Sequence, residues 1–317
     1  MAKIPLTIIT GFLGSGKTTF LSEVLQNNAD KKLSVIVNEF GEAGLDNTIL
    51  NQAIYHIEER TILLQGGCIC CSKREDLVFQ LKEILNNGDV EYVIIETTGL
   101  ANPAPIIFSL LTDSVLQHHF FVNEILTCVD CLNVFSHLKH EEARLQIAIS
   151  DKVVLTKQEL FNGNIQEIIN CIANHNAFVE ILPKNLVDFR DILTSREIKH
   201  SIPIQTNLHK DTTYSLSISF QEFLDWNVFS VWLSMLLYKY GEKILRFKGI
   251  LDTNEGYPIA INSVLHIIHP PLHLKSWDKK RGSEMVFIFR DIHKEELLES
   301  FEVFAGLLKQ KIVINIH

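Results

Sequence analysis

From the N-terminus to about residue 210, short apolar runs alternate with amphipathic segments. The runs Pro5–Thr10, Leu33–Asn38, Tyr92–Thr97, Ile125–Asp130, Lys152–Thr156 and Ala177–Leu182 are apolar almost throughout. Continuous apolar strands, as opposed to strands that alternate, belong to a sheet covered on both faces. Between them, Thr18–Asn27, Asp76–Leu85 and Ile165–Ala173 carry apolar residues near a 3.6-residue period, which predicts helices. Strand and helix in turn predict an α/β fold with a mostly parallel sheet wrapped by helices.

The pattern turns polar over Ser195–Tyr214, and this stretch is read as a boundary between a first domain at 1–205 and a second at 215–317. Beyond it the pattern predicts strands at Leu216–Phe220, Ile244–Leu251, Ile259–His266 and Met285–Phe289, with helices at Asn227–Tyr240 and Lys294–Lys309. Three or four strands with two helices make a small α+β domain. No internal repeat is present.

Composition narrows the function. A length of 317 residues with 46% hydrophobic content supports two packed cores. The formal charge of −9, from 29 basic and 38 acidic residues, argues against nucleic acid or an anionic membrane as the main partner. Met1–Thr10 has one lysine before an apolar run that breaks at Gly11, too short for a signal peptide or a spanning helix. A cytoplasmic protein is the expectation. Six cysteines, three of them clustered, are a poor disulfide framework and favour metal or redox chemistry in a reducing compartment.

The strongest motif is Gly11-Phe12-Leu13-Gly14-Ser15-Gly16-Lys17-Thr18, which fits G-x-x-x-x-G-K-[ST] after an apolar strand and before a helix. Glycines let successive N–H groups converge on phosphate oxygens, and the helix N-terminus adds partial positive charge. Lys17 is expected to span the β- and γ-phosphates and the Thr18 hydroxyl to ligate Mg²⁺. An acidic residue at a neighbouring strand end completes such a site. Glu96, in Glu96-Thr97-Thr98-Gly99, supplies one, and Gly99 would let the loop swing toward a γ-phosphate. An ordinary acidic strand cap is the alternative for Glu96. Guanine-specific sites pair a carboxylate with the base and lay a lysine over it, in the form [NT]-K-x-D. Here Thr156-Lys157-Gln158-Glu159 follows a strand, with the carboxylate one methylene longer. A solvated strand end is the other reading of Glu159.

The second cluster is Gly66-Gly67-Cys68-Ile69-Cys70-Cys71. Thiolates select soft or borderline metals such as Zn²⁺, Cu(I) or Co²⁺. A single loop of three thiols leaves a tetrahedral site one ligand short, so the site reads as open or transient. Buried structural cysteines, or redox exchange between Cys68 and Cys71, are alternative readings. Glu39 and Glu42, in Asn38-Glu39-Phe40-Gly41-Glu42 ahead of Asp46, lie at a strand end where a nucleotide-sensing switch would sit, and either could complete the thiolate site. Among 13 histidines, His118-His119 and the pair His137 and His140, three apart on an expected helix, read as surface or packing residues; so do Cys128 and Cys131 beside Asp130 read as structural.

The runs GFLGSGKTT, NEFGEAGLD, GGCICC, ETTGLANPAP and LTKQE, in this order and spacing, resemble the CobW-type metallochaperone GTPases, relatives of the urease- and hydrogenase-maturation GTPases. The resemblance is close over the first 160 residues and looser beyond, at Arg246-Phe247-Lys248-Gly249 and Met285–Phe289. It implies a P-loop GTPase domain and a CobW-like C-terminal domain, with GTP, Mg²⁺ and Zn²⁺ (or a related divalent metal) as ligands and a client metalloprotein that receives the metal. The phosphate loop is then Gly11 to Thr19, with Gly14, Ser15, Gly16, Lys17 and Thr18 in it. The metal motif is Cys68, Cys70 and Cys71; base recognition falls on Lys157 and Glu159; the acidic switch falls on Glu39 and Glu42. The chain departs from the family at Glu159, where the pattern has Asp, and at Val37, where some relatives carry a glutamate. It also lacks a long His-rich tract. A zinc buffer or sensor with a structural nucleotide, or an ATP-dependent P-loop enzyme, is the alternative function. The client, the physiological metal and the presence of a homo-oligomer are open at this level.

Overall fold

The structure is a computed structural model that describes residues 3–39, 61–65, 74–194, 213–220, 223–274, 282–308 and 312–316. The chain divides into two compact units, Met1–Ile172 with Phe178–Ile202, and Pro203–His317 with Ala173–Ala177.

The first unit is built on strands β1 (Ile4–Thr10), β2 (Leu33–Glu39), β3 (Thr61–Gln65), β4 (Tyr92–Glu96), β5 (Phe120–Asp130), β6 (Lys152–Thr156) and β7 (Glu180–Pro183). They form one sheet in the order β3-β2-β4-β1-β5-β6-β7, and every pairing is parallel. Helices α1 (Lys17–Asn27), α2 (Arg74–Asn87), α3 (Ala104–Thr112), α4 (Leu116–His119), α5 (Val134–His137), α6 (Glu141–Ala148) and α7 (Ile165–His175) connect them. The continuous apolar runs have the expected cause. Ile9, Val35, Ile94, Leu126 and Val154 pack with Phe20, Leu21 and Val24 of α1, while Val153 and Leu155, the neighbours of Val154 on β6, pack with Ile168 and Ile172 of α7.

Register decides where chemistry can occur. Ile9 lies beside Glu96, Val37 beside Glu96, Thr10 beside Thr127 and Asp130 beside Thr156. The carboxyl ends of five strands therefore form one edge, the usual place for ligands in an open parallel sheet.

The second unit holds β8 (Thr213–Phe220), α8 (Trp226–Tyr240), β9 (Ile244–Asp252), β10 (Pro258–Val264), β11 (Ile267–Ile268), β12 (Leu272–His273), β13 (Ser283–Arg290), α9 (Lys294–Leu308) and β14 (Ile312–Ile316). Its antiparallel sheet runs β11-β10-β9-β13-β8-β14, with β12 paired to β10. The alternating residues Leu216, Ile218 and Phe220 of β8 and Met285, Phe287 and Phe289 of β13 pack with Phe229, Leu233, Phe301 and Phe304 of the two helices. Asp225 caps α8 by accepting from the N–H groups of Asn227 and Val228.

The α+β expectation holds, with more strands than the three or four anticipated. β11 and β12 are two residues each, too short to leave a periodic trace. The strand expected to reach His266 stops at Val264, because Leu265 takes a left-handed backbone with φ of 52°. The last strand of the first unit starts at Glu180, three residues after the expected Ala177, and β5 starts at Phe120, five before the expected Ile125.

Candidate nucleotide-binding site

The loop from Gly11 to Gly16 joins the buried end of β1 to α1. Gly11, Gly14 and Gly16 have φ of 144°, 70° and 84°, a region that glycine enters without strain. At Gly11 space matters as well, since a Cβ there would stand 2.4 Å from the carbonyl oxygen of Cys128. The Lys17 side chain folds back over the loop, and its Nζ donates to the Phe12 carbonyl at 3.2 Å. Thr18 Oγ1 donates to Glu96 Oε1 at 2.7 Å, so the two residues assigned to the Mg²⁺ end of the site meet across β1 and β4. A hydroxyl beside a carboxylate that is 4% exposed is an all-oxygen donor set, which fits a hard cation.

Two buried hydroxyls nearby, Ser15 Oγ and Thr98 Oγ1, have no hydrogen-bond partner. Buried polar groups are otherwise nearly always paired. Orphans on the loops after β1 and β4 fit partners brought by a phosphate ligand. The loop after β4 is pinned by Thr97, whose N–H donates to the Ile9 carbonyl at 3.0 Å and whose hydroxyl donates to Thr10 Oγ1 at 2.8 Å. Gly99 then runs so close to the phosphate loop that a Cβ would stand 2.7 Å from the Leu13 nitrogen.

The segment after β6 reaches the same loop from the other side. Thr156 Oγ1 donates to the carbonyls of Ser15 at 2.7 Å and Val129 at 3.1 Å. Lys157, in left-handed backbone with φ of 55°, donates from Nζ to Gly14 O and to Asp130 Oδ2, both at 2.8 Å. Glu159 lies in the 3-10 turn that follows and is exposed. The lysine is thus placed by the phosphate loop and by Asp130 together.

Asp130 went unremarked as a site residue in the sequence and is central here. It is 1% exposed, at the end of β5, and accepts from Lys157 Nζ, from Asn133 Nδ2 at 2.8 Å and from the Leu132 N–H at 2.8 Å. Burial alone would raise its pKa; the hydrogen bonds from Lys157, Asn133 and Leu132 outweigh that and hold the carboxyl below its ordinary value. Its position at the end of the expected strand Ile125–Asp130 was the one available signal.

The histidine pair differs from expectation. α5 ends at His137 and His140 caps the next helix, so the two do not share a helix. Both nevertheless pack on the Phe12 ring of the phosphate loop, at centroid distances of 4.9 and 4.8 Å. Burial, against the pull of Asp130, holds His137 below the ordinary imidazole pKa. Cys128 and Cys131 are buried, and burial pushes their thiols up to about 12 and about 11, as befits structural cysteines. Cys68, Cys70, Cys71 and Glu42 lie outside the described residues, as does the side chain of Glu39, whose backbone ends β2. Among the described residues there is no group of three or more His, Cys, Asp and Glu that could hold a metal.

Residues 5–182 match the family model described as "CobW/HypB/UreG, nucleotide-binding domain". The chain belongs to this family. Residues 214–305 match the "Cobalamin synthesis protein cobW C-terminal domain", so the CobW arrangement extends through the second unit. The CobW-family chain is 28% identical to the zinc chaperone YjiA of Escherichia coli, over 98% of this chain and all of that one. It is also 28% identical to the zinc-regulated GTPase metalloprotein activator 1 of Schizosaccharomyces pombe, over 93% of this chain and 82% of that protein. In fold it is similar to the crystal structure of Zn(II)-bound YjiA GTPase from E. coli, with a TM-score of 0.73 and 24% identity over 96% of this chain and 99% of that one.

Proposed function

We propose that this CobW-family protein is a GTPase metallochaperone that binds zinc or a related divalent metal at Cys68, Cys70 and Cys71 and hands it to a client metalloprotein according to its nucleotide state. The observation that carries the nucleotide half is the double anchorage of Lys157 on Gly14 and Asp130, which ties the base-recognition segment to the phosphate loop. The relatives named as zinc chaperone and zinc-regulated GTPase support the metal half.

In this reading the N–H groups of the Gly11–Thr19 loop hold the phosphates, with Ser15 among them, and Lys17 leaves the Phe12 carbonyl to meet the β- and γ-oxygens. Bound Mg²⁺ would neutralise charge developing on those oxygens, held by Thr18 with Glu96 behind it. Glu96 also orients water near the γ-phosphate, and Gly99 brings the loop after β4 to the same end. Lys157 lies over the guanine and Glu159 accepts from its edge. Glu39 and Glu42 form the segment through which nucleotide state reaches the three thiolates. No strong general base is present among these residues, so intrinsic turnover is slow, as in P-loop switches that lack a supplied catalytic group.

Zinc affinity measured by competitive chelator titration, with GDP and then with a non-hydrolysable GTP analogue, tests the coupling. The expected difference is tenfold or more, about 1.4 kcal/mol, and it vanishes in Cys70→Ala. Equal affinities in the two nucleotide states would sink this proposal in favour of a zinc buffer whose nucleotide is structural, because only differential affinity can couple two binding events.

A further inference from the structure

Gln146 lies in α6, has 0% exposure, and belongs to none of the motifs of the site. Its Nε2 nevertheless donates to two carbonyls of the loop after β4, Gly99 O at 3.1 Å and Ala101 O at 3.0 Å. Only the amide nitrogen can face two carbonyl oxygens, so the amide orientation is dictated by its partners. The opposite atom, Oε1, is buried with no partner. An unpaired buried acceptor is unfavourable, and the side chain tolerates it while holding the loop.

The backbone of Gln146 is engaged as well. Its carbonyl accepts from Ser150 Oγ at 2.6 Å and from Thr127 Oγ1 of β5 at 3.1 Å. The residue is therefore fixed to the sheet on one side and grips the loop on the other. The gripped segment is the one whose Gly99 abuts Leu13 of the phosphate loop, and whose Thr98 hydroxyl is buried and unpaired.

We propose that Gln146 is a positioning residue that clamps the Thr97–Ala101 loop against the phosphate loop and thereby sets how well the site tells a nucleoside triphosphate from a diphosphate. It touches neither nucleotide nor metal and acts through the two carbonyls. The proposal rests on the GTPase reading for its nucleotide but not for its clamp. A loop held at Gly99 and Ala101 stays preorganised for the terminal phosphate, whereas a diphosphate, held by the Gly11–Thr19 loop and by the contacts to its base, does not reach the clamped loop and is indifferent to the clamp.

The test uses the full chain and two variants, Gln146→Met, which keeps the length and removes the donor, and Gln146→Asn, which keeps the donor and withdraws it by one methylene. Titration with fluorescent GDP and with a fluorescent non-hydrolysable GTP analogue, in Mg²⁺, reads the discrimination. Steady-state hydrolysis reads kcat and KM, and hydrogen exchange reads the amides of residues 97–101. Expected in both variants are a GDP affinity within twofold of the parent, a triphosphate affinity about tenfold weaker, a lowered kcat, and faster exchange of the loop amides. An unchanged ratio of triphosphate to diphosphate affinity in a folded variant would overturn the proposal. If the parent bound no guanine nucleotide, the GTPase reading would fall by itself, and the clamp would then stand or fall on exchange at 97–101. Should Gln146→Met not fold, Gln146→Asn decides by the same readings.

Discussion

Replacing Asp130 by Asn isolates the anchor of Lys157. The substitution keeps the shape and removes the charge from a carboxylate that is 1% exposed and accepts from Lys157, Asn133 and the Leu132 N–H. A hydrogen bond to a charged group contributes about 1.5–3 kcal/mol. The Lys157 side chain is 34% exposed, so solvent screens the pair and the lower end applies. Lys157 then stays over Gly14 on one bond in place of two, and guanine nucleotide binds about tenfold more weakly, equivalent to about 1.4 kcal/mol. Stability falls too, because one amide –NH₂ now meets donors in a buried position, at a cost of about 1–3 kcal/mol. The pH dependence has a definite sign. The folded carboxyl titrates below its ordinary value, so its stabilisation is present above the unfolded pKa of about 3.9 and is lost as pH falls through the lower folded value. Parent and variant should therefore differ most in urea midpoint near neutrality and converge as pH drops below about 4. Calorimetric GDP titration and urea melts at several pH values measure both effects. Parental GDP affinity together with a pH-independent difference in midpoint would refute the anchoring role.

Three further outcomes follow from the same geometry. Thr18→Ala removes the hydroxyl that meets Glu96, and Mg²⁺-dependent GTP hydrolysis should fall by about a hundredfold or more while GDP binding without Mg²⁺ changes little, as phosphate-release kinetics would read. Phe229→Ala empties a site ringed by Trp226, Trp232, Phe247 and Phe304, and chemical denaturation should show the second unit destabilised by about 3–5 kcal/mol; a loss under 1 kcal/mol would contradict that packing. The Cys128 thiol, raised to about 12 by burial, stays neutral at pH 8 and should resist alkylation in the native protein, with mass spectrometry of the native and urea-treated chain giving the comparison.

Motif and periodicity together made the fold class readable, and particular residues show why. A strand buried on both faces, such as Tyr92–Glu96, carries its own signature, and the phosphate loop needs only its glycines, Lys17 and Thr18 in the right order. β3 (Thr61–Gln65) was missed, although it matches β6 in length and in its polar ends. α3 was missed because Ala104–Thr112 is apolar nearly all round and has no amphipathic face to betray a helical period. The site divides in the same way. Lys17, Thr18, Glu96 and Lys157 stand out by local sequence, and the structure brings Thr18 to Glu96 and Lys157 to the phosphate loop. The contacts of Asp130 and Gln146 come from register and tertiary packing; a strand end hints at the aspartate, and nothing in the pattern points to the glutamine.

The all-parallel pairing of the first unit also bears on synthesis. β1 is made before both of its neighbours in the sheet, β4 and β5, and the lysine that braces the phosphate loop follows β6. Every one of those partnerships spans a long intervening stretch of chain, so loop closure must be met before any of them forms. A ribosome-bound chain that has not yet delivered β5 and β6 carries the glycine-rich motif without the walls that shape it. Competence to hold a nucleotide should arise abruptly, once the strand ending in Thr156 has been added, and the nascent apolar β1 needs shelter until then.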